Sequence, residues 1–158
     1  MKLLLIIISF IGLNSCSHSQ DLNCSDFKTG KFYIPTTEQL EKYTITENDS
    51  IKELLIDRDE NTERYIVLRE KNTQTEWKDG ENNGTPEFEI IQWINDCSYR
   101  LKYDPNKSEL SEQKKWVNEN NGIVVEKIRI IGKCMEYRAT MTSNDGRKVE
   151  QKGTICKE

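Results

Sequence analysis

Five cysteines, one histidine and 27 acidic side chains bound the chemistry open to this 158-residue chain. The histidine, His18, lies two residues beyond Cys16 in a short polar stretch near the N-terminus. There it cannot serve a fixed Ser-His-Asp or Cys-His arrangement in a folded domain, and histidine-ligated zinc is excluded for the same reason. Cys24, Cys97, Cys134 and Cys156 show no Cys-x-x-Cys spacing, which argues against a four-cysteine zinc site. Glycosidase-type hydrolysis needs only two positioned carboxylates. Glu87 and Glu89 would share one strand face, as would Asp57 and Asp59 in an extended segment. Among 27 acids such pairs arise by chance, so solvated faces are the expectation. The acidic loop at residues 79–87 matches no EF-hand spacing. No catalytic residue, metal ligand or cofactor is expected.

What the cysteines mean depends on the compartment, and the N-terminus sets it. Lys2 precedes an apolar run over residues 3–13 that only Ser9 and Gly12 interrupt. The run ends in Leu13-Asn14-Ser15-Cys16, which reads as a lipoprotein cleavage box. Residues 1–15 are then a signal peptide and Cys16 is the acylated first residue of the mature chain. The run is far short of the roughly 20 apolar residues that span a bilayer. Asn14 is not the usual small residue, and the alternative is an ordinary secretory signal that leaves Cys16 as an odd thiol. Lipidation leaves four cysteines, which pair evenly. Each buried acyl methylene contributes about 0.8 kcal/mol to anchoring, so the chain sits on a membrane without crossing it. Ser17 stands where an Asp would signal inner-membrane retention, which points to the outer membrane, with residues 16–23 as a tether.

Cleavage removes Lys2 and no acid, so 22 basic and 27 acidic side chains remain, a net charge of −5. Such a chain lacks the clustered basic face that a nucleic acid would require. Lys114-Lys115 and Arg147-Lys148 read as solvated. Residues 24–158 make one domain, long enough to bury roughly two thirds of its unfolded surface.

Residues 26–34, with Gly30 inside and Pro35 after, predict a first strand. Strands at 43–46 and 51–56 follow, then 64–69 and 73–78. Residues 88–94 form the most apolar strand. In 97–103 the odd positions are apolar and the even ones polar, which marks one buried face. Asn106 with Glu109 predicts a capping box and a helix over 107–118, with Leu110, Gln113 and Val117 as a narrow inner stripe. Residues 123–131, 134–142 and 147–156 predict the last three strands. A three-residue loop with Gly146 in the left-handed region would pair Ser143 with Arg147. Continuing that register sets Met141 against Val149, Met135 against Ile155 and Cys134 against Cys156. A slip of one residue would oppose apolar to polar throughout.

Behind an export signal, four cysteines read as disulfides. The hairpin register predicts Cys134–Cys156 and leaves Cys24–Cys97. Closing these loops contributes about 3 and 4 kcal/mol in the chain-entropy model.

At Asn23-Cys-Ser-Asp-Phe-Lys-Thr-Gly-Lys-Phe32, at Gln92-Trp-Ile-Asn-Asp-Cys-Ser-Tyr99 and again at Gln151-Lys-Gly-Thr154, the chain resembles a family of small flavobacterial-type lipoproteins. That family is uncharacterised, and its members sometimes carry the name DNA topoisomerase IV. The resemblance covers most of the mature chain, which is longer mainly over residues 51–87. It implies shared cysteines at Cys24 and Cys97 and leaves Cys134 and Cys156 as an addition. The topoisomerase name does not fit these residues. The chain has no phosphate-cradling glycine loop, and it is too short for an ATPase plus a strand-passage domain. Its tyrosines fall at strand-like positions where packing explains them.

About nine strands and one helix between Tyr103 and Ile123 predict a mainly β fold. The expectation is an antiparallel meander forming a small lipocalin-like, calycin-type barrel, with a two-layer sandwich as the alternative. By analogy with such barrels, the expected function is non-enzymatic. The chain would be a membrane-anchored cell-envelope lipoprotein that binds a small apolar ligand or an envelope protein. Trp93, Trp116, Tyr65 and Tyr137 are the candidate ligand or partner contacts, although Trp93 reads first as a core tryptophan packed on a disulfide. A structural or assembly factor without a pocket is the second reading. A carboxylate-dependent hydrolase is the third, and two buried carboxylates about 5 to 10 Å apart in a cleft would mark it.

Overall fold

The alternation in the strand Ser98–Tyr103 decides which side of the sheet faces inward: Tyr99 and Leu101 are buried, while Arg100 and Lys102 are only partly covered. The computed structural model describes residues 22–35 and 65–158. Their strands, in chain order, are β1 (Gly30–Ile34), β2 (Tyr65–Glu70), β3 (Thr73–Trp77), β4 (Glu87–Asn95), β5 (Ser98–Tyr103), β6 (Ile123–Ile131), β7 (Cys134–Thr142) and β8 (Lys148–Lys157). One α-helix, α1 (Glu112–Glu119), joins β5 to β6. Each strand pairs antiparallel with the next, and β8 returns to β1 through Phe32↔Lys157 and Tyr33↔Cys156. The sheet is therefore a closed calycin-like barrel and not a sandwich, and closure leaves no unpaired edge to template aggregation. The expected strands at 43–46 and 51–56, the acids Asp57 and Asp59, the signal peptide, Cys16 and His18 lie outside the described residues.

The last hairpin has the register that its face pattern requires. Ser143 donates its N–H to the Arg147 carbonyl at 2.9 Å, and Met141 lies opposite Val149, Met135 opposite Ile155 and Cys134 opposite Cys156. Both expected disulfides are present, Cys134–Cys156 between β7 and β8 and Cys24–Cys97 across the start of the fold.

The first strand begins later than expected because residues Cys24–Phe27 wind into a 3-10 helix. Its cap is reciprocal: the Asn23 side chain accepts the Ser25 N–H, and the Asp26 carboxylate accepts the Asn23 N–H, each at 2.9 Å. This turn drives Phe27 into one end of the barrel, where it packs with Phe32, Val67, Met135 and Ile155. Each such side chain contributes about 1.5–3 kcal/mol by leaving water. In β6 the pairing skips Ile128, since Lys127 lies opposite Tyr137 and Arg129 opposite Glu136. This bulge reverses the inward parity, so that Ile130 packs against the core and Arg129 turns out to Glu136 at 2.7 Å.

The helix also begins later than its sequence signal. Asn106 is not its cap, because the Asp104 carboxylate takes the Asn106 N–H at 2.9 Å and closes a local turn. Ser111 caps instead, accepting the Lys114 N–H at 3.4 Å, and Gln113 lies exposed while Leu110 and Val117 are buried. Asn118 then fixes the helix to β5 by bonding both the N–H and the carbonyl of Tyr103 at 2.9 Å.

Candidate functional site

Carrying the inward parity of β5 through the strand registers brings a polar set into the barrel. Tyr103 lies opposite Glu89, Glu89 opposite Gln74, Gln74 opposite Arg69, and Glu76 opposite Glu87. Glu76 and Glu89 keep only 8% and 6% of their exposure. The apolar residues of the other β4 face pay for this inversion: Ile90 and Ile94 stand outside, 39% and 51% exposed. The expectation that Glu87 and Glu89 share a solvated face is thus corrected. They share a face, and that face is the interior.

Between these side chains lies a cavity of about 280 Å³. Tyr65, Tyr99, Tyr103 and Tyr137 present rings and hydroxyls to it, and Leu101, Ile123, Val125 and Ile155 supply apolar wall. Tyr137 fits because Gly153 lies opposite it, where a Cβ would fall 2.4 Å from the phenol oxygen. Of the four residues singled out from the sequence, Tyr65 and Tyr137 line this cavity and the two tryptophans do not. Trp93 packs on Tyr99 with ring centroids 5.0 Å apart, beside the Cys24–Cys97 disulfide, and donates its indole N–H to the Lys71 carbonyl at 3.0 Å. Trp116 lies on α1, 41% exposed.

One network connects the floor of the cavity to its acids. Arg69 is 3% exposed. Its Nε donates to the Gln74 side-chain carbonyl at 2.6 Å, and the two terminal nitrogens donate to the Phe27 carbonyl at 2.9 Å and to the Tyr99 hydroxyl. The Gln74 amide nitrogen donates to Glu76 and, at 2.8 Å, to Glu89, and the Tyr65 hydroxyl donates to Glu76. A single amide thus holds two carboxyl groups together.

Two like charges cannot both persist there. Burial pushes Glu89 well above the ordinary carboxylate range, and the adjacent Glu76 pushes it further. Burial also raises Glu76, against the opposing hydrogen bonds from Tyr65 and from Glu89. Both carboxyl groups are thus driven toward the protonated form, and a proton shared between them relieves the repulsion. Glu87, nearer solvent, behaves differently. Partial burial opposes its ionisation, but hydrogen bonds from Lys78 and Lys114 outweigh that and hold it below its ordinary value. Those two lysines meet it at 2.9 and 3.2 Å. Burial raises all four tyrosines, Tyr103 and Tyr137 to about 12, so they stay neutral hydrogen-bonding phenols.

Glu89 is named in the sequence as a partner of Glu87, whereas Arg69, Gln74 and Glu76 are not, and one signal bears on the direction in which Glu89 points. The β5 alternation names its inward positions, and the Asn95-Asp96 turn transfers that parity to β4, placing Glu87, Glu89 and Ile91 on one inner face. Among the described residues no three His, Cys, Asp or Glu side chains are arranged to hold a metal ion. In comparisons with known proteins, no family model, curated protein or solved structure matches the chain. The functional reading therefore rests on the geometry of the cavity.

Proposed function

We propose that this chain is a non-enzymatic lipoprotein of the cell envelope, held on the outer membrane through acylated Cys16, whose barrel binds a small ligand. The observation that carries this reading is the 280 Å³ cavity inside a disulfide-stapled barrel. Its size lies just under the roughly 300–1,000 Å³ of sites for drug-sized molecules, which suits a small occupant. The disulfides fit an oxidising compartment. The apolar ligand expected from the sequence fits less well, because hydrocarbon against Glu76, Glu89 and Tyr137 would satisfy none of their polar atoms. A polar ligand replaces it. A hydrolase is less supported as well. Glu76 and Glu89 sit side by side on one amide donor. Glycoside cleavage needs its two carboxyl groups about 5 Å or more apart, flanking the bond.

The test is mass spectrometry of the protein from native membranes, denatured and then intact. Acyl mass on Cys16, four alkylations only after reduction, and a co-purifying small molecule that is lost in the cavity-filling variant Ala139→Phe are expected. An unacylated chain with free thiols would refute the anchor and the compartment. A ligand unaffected by Ala139→Phe would refute the cavity.

A further inference from the structure

The buried acids of the barrel lack matching cations. Among the described residues Glu76 and Glu89 take hydrogen bonds from Tyr65 and Gln74 and contact each other, and neither forms an ion pair with Lys or Arg. Arg69 lines the cavity too and favours ionised Glu76 through space, but its donors go to three neutral acceptors and it touches neither acid. Lys78 and Lys114 are held at the rim by Glu87. Four tyrosine rings line the same space; Arg69 already lies 4.7 Å from the Tyr99 ring centroid and Lys114 5.0 Å from that of Tyr103, which leaves the rings of Tyr65 and Tyr137 without a cation among the described residues. Carboxylates at one side of a cavity and π-faces around it suit an organic cation, since an ammonium is drawn to both.

Resting on the cavity reading above, we propose that the ligand is a small protonated amine whose ammonium sits between Glu76 and Glu89 and whose carbon skeleton packs on the tyrosine rings. An ammonium has three N–H donors, enough for both carboxylates and one phenol oxygen. It takes the place of the proton shared by the pair: the pair loses that proton to solvent, and both carboxylates accept an N–H from the ammonium. The hydrogen bond between the two carboxyl groups gives way to those from the ammonium, and no other covalent bond changes. The charged groups facing the pair are Arg69 from β2, Lys78 just beyond β3, Glu87 from β4 and Lys114 from α1, while β1 and β8 contribute the uncharged Ile34 and Gln151. Glu87 stays ionised and the tyrosines stay neutral near pH 7, so the Glu76–Glu89 pair is the group whose protonation the ligand must displace. Below the titration of that pair, affinity should fall about tenfold per pH unit.

Calorimetric titration of the full chain tests this, in two buffers of different ionisation heat and between about pH 6 and about pH 8. The probes are phenethylamine and 1,4-diaminobutane, with 2-phenylethanol and 3-phenylpropanoate as neutral and anionic counterparts. Amine binding that releases about one proton, tightens with pH, and weakens about tenfold or more in Glu89→Gln supports the proposal. Infrared difference spectra of the unmutated chain should lose a buried carboxyl C=O band when amine is added. That second readout decides the matter should Glu89→Gln fold poorly. Amine binding without proton release, or equal in Glu89→Gln, overturns it. Binding of the alcohol or the carboxylate alone, abolished by Ala139→Phe, would leave the cavity reading standing and remove the amine. Silence from all four probes would remove both.

Discussion

Replacing Arg69 with Met should cost more than any exposed substitution in this chain. The guanidinium donates to Gln74, to the Phe27 carbonyl and to Tyr99, and it lies 5.4 and 4.7 Å from the ring centroids of Phe32 and Tyr99. It thereby joins the 3-10 plug, β3 and β5 at one point. Met fills a similar volume but donates nothing, so three buried acceptors lose their partner at about 1–3 kcal/mol each. The gross loss of about 3–9 kcal/mol is offset in part, because a buried guanidinium no longer has to be stripped of water. The net expectation is about 3–5 kcal/mol, the range seen when one member of a buried charged network is removed. With a urea slope of about 2 kcal/mol per molar, the unfolding midpoint should drop by about 2 M. Tyr99→Phe removes one of the three acceptors and should cost about 1–2 kcal/mol, and Arg69→Lys should fall between them. The assay is urea unfolding with both disulfides intact, followed by circular dichroism and tryptophan fluorescence. If Arg69→Met unfolds within about 1 kcal/mol of the parent at unchanged slope, the network is not a structural hub and the reasoning fails.

Stability should also depend on pH in a specific direction. Glu89 has a raised folded-state pKa, so its contribution is complete below the ordinary carboxylate range and is lost as pH rises through the raised value. Glu87, held low, contributes above the ordinary range and loses that contribution as pH falls. Thermal melts should therefore peak in mildly acidic buffer, and Glu89→Gln, which mimics the protonated acid, should flatten the alkaline limb. An unchanged limb in that variant would show that the shared proton is elsewhere. Removing the Cys24–Cys97 bridge, which spans 73 residues, should cost more than removing Cys134–Cys156, which spans 22, by about 1 kcal/mol in the loop-entropy model. Paired Cys→Ala variants compared by urea unfolding check that order. Gly122→Ala should be strongly destabilising, because its φ is +78° and a Cβ would lie 2.2 Å from the Leu101 carbonyl. A melting temperature within a degree or two of the parent would contradict that geometry. Ser111→Ala should cost about 1 kcal/mol through the lost helix cap.

Local chemistry was enough to determine several parts of this protein. The β7–β8 hairpin could be placed residue by residue, because Gly146 sets the turn and a slip of one position would oppose apolar to polar side chains. That register brought Cys134 to Cys156 before any tertiary information, and the alternation in 97–103 named a buried face. The first strand and the helix start a few residues later than their sequence signals, the strand because Cys24–Phe27 wind into a 3-10 turn and the helix because Asp104 takes the Asn106 N–H and Ser111 caps instead. Tertiary structure alone decided what the interior contains. A closed barrel gives each strand one inside face whatever its composition, so the turn parity of β4 and β5 commits Glu87 and Glu89 inward even though Ile90 and Ile94 must then face out. Hydrophobicity would have chosen the opposite face. Burial becomes tolerable for Glu76 and Glu89 because Gln74, Tyr65 and a shared proton serve them, with Arg69 anchoring Gln74, on the consecutive strands β2, β3 and β4. The meander places these groups on one face, and closure of the barrel decides that this face is the enclosed one.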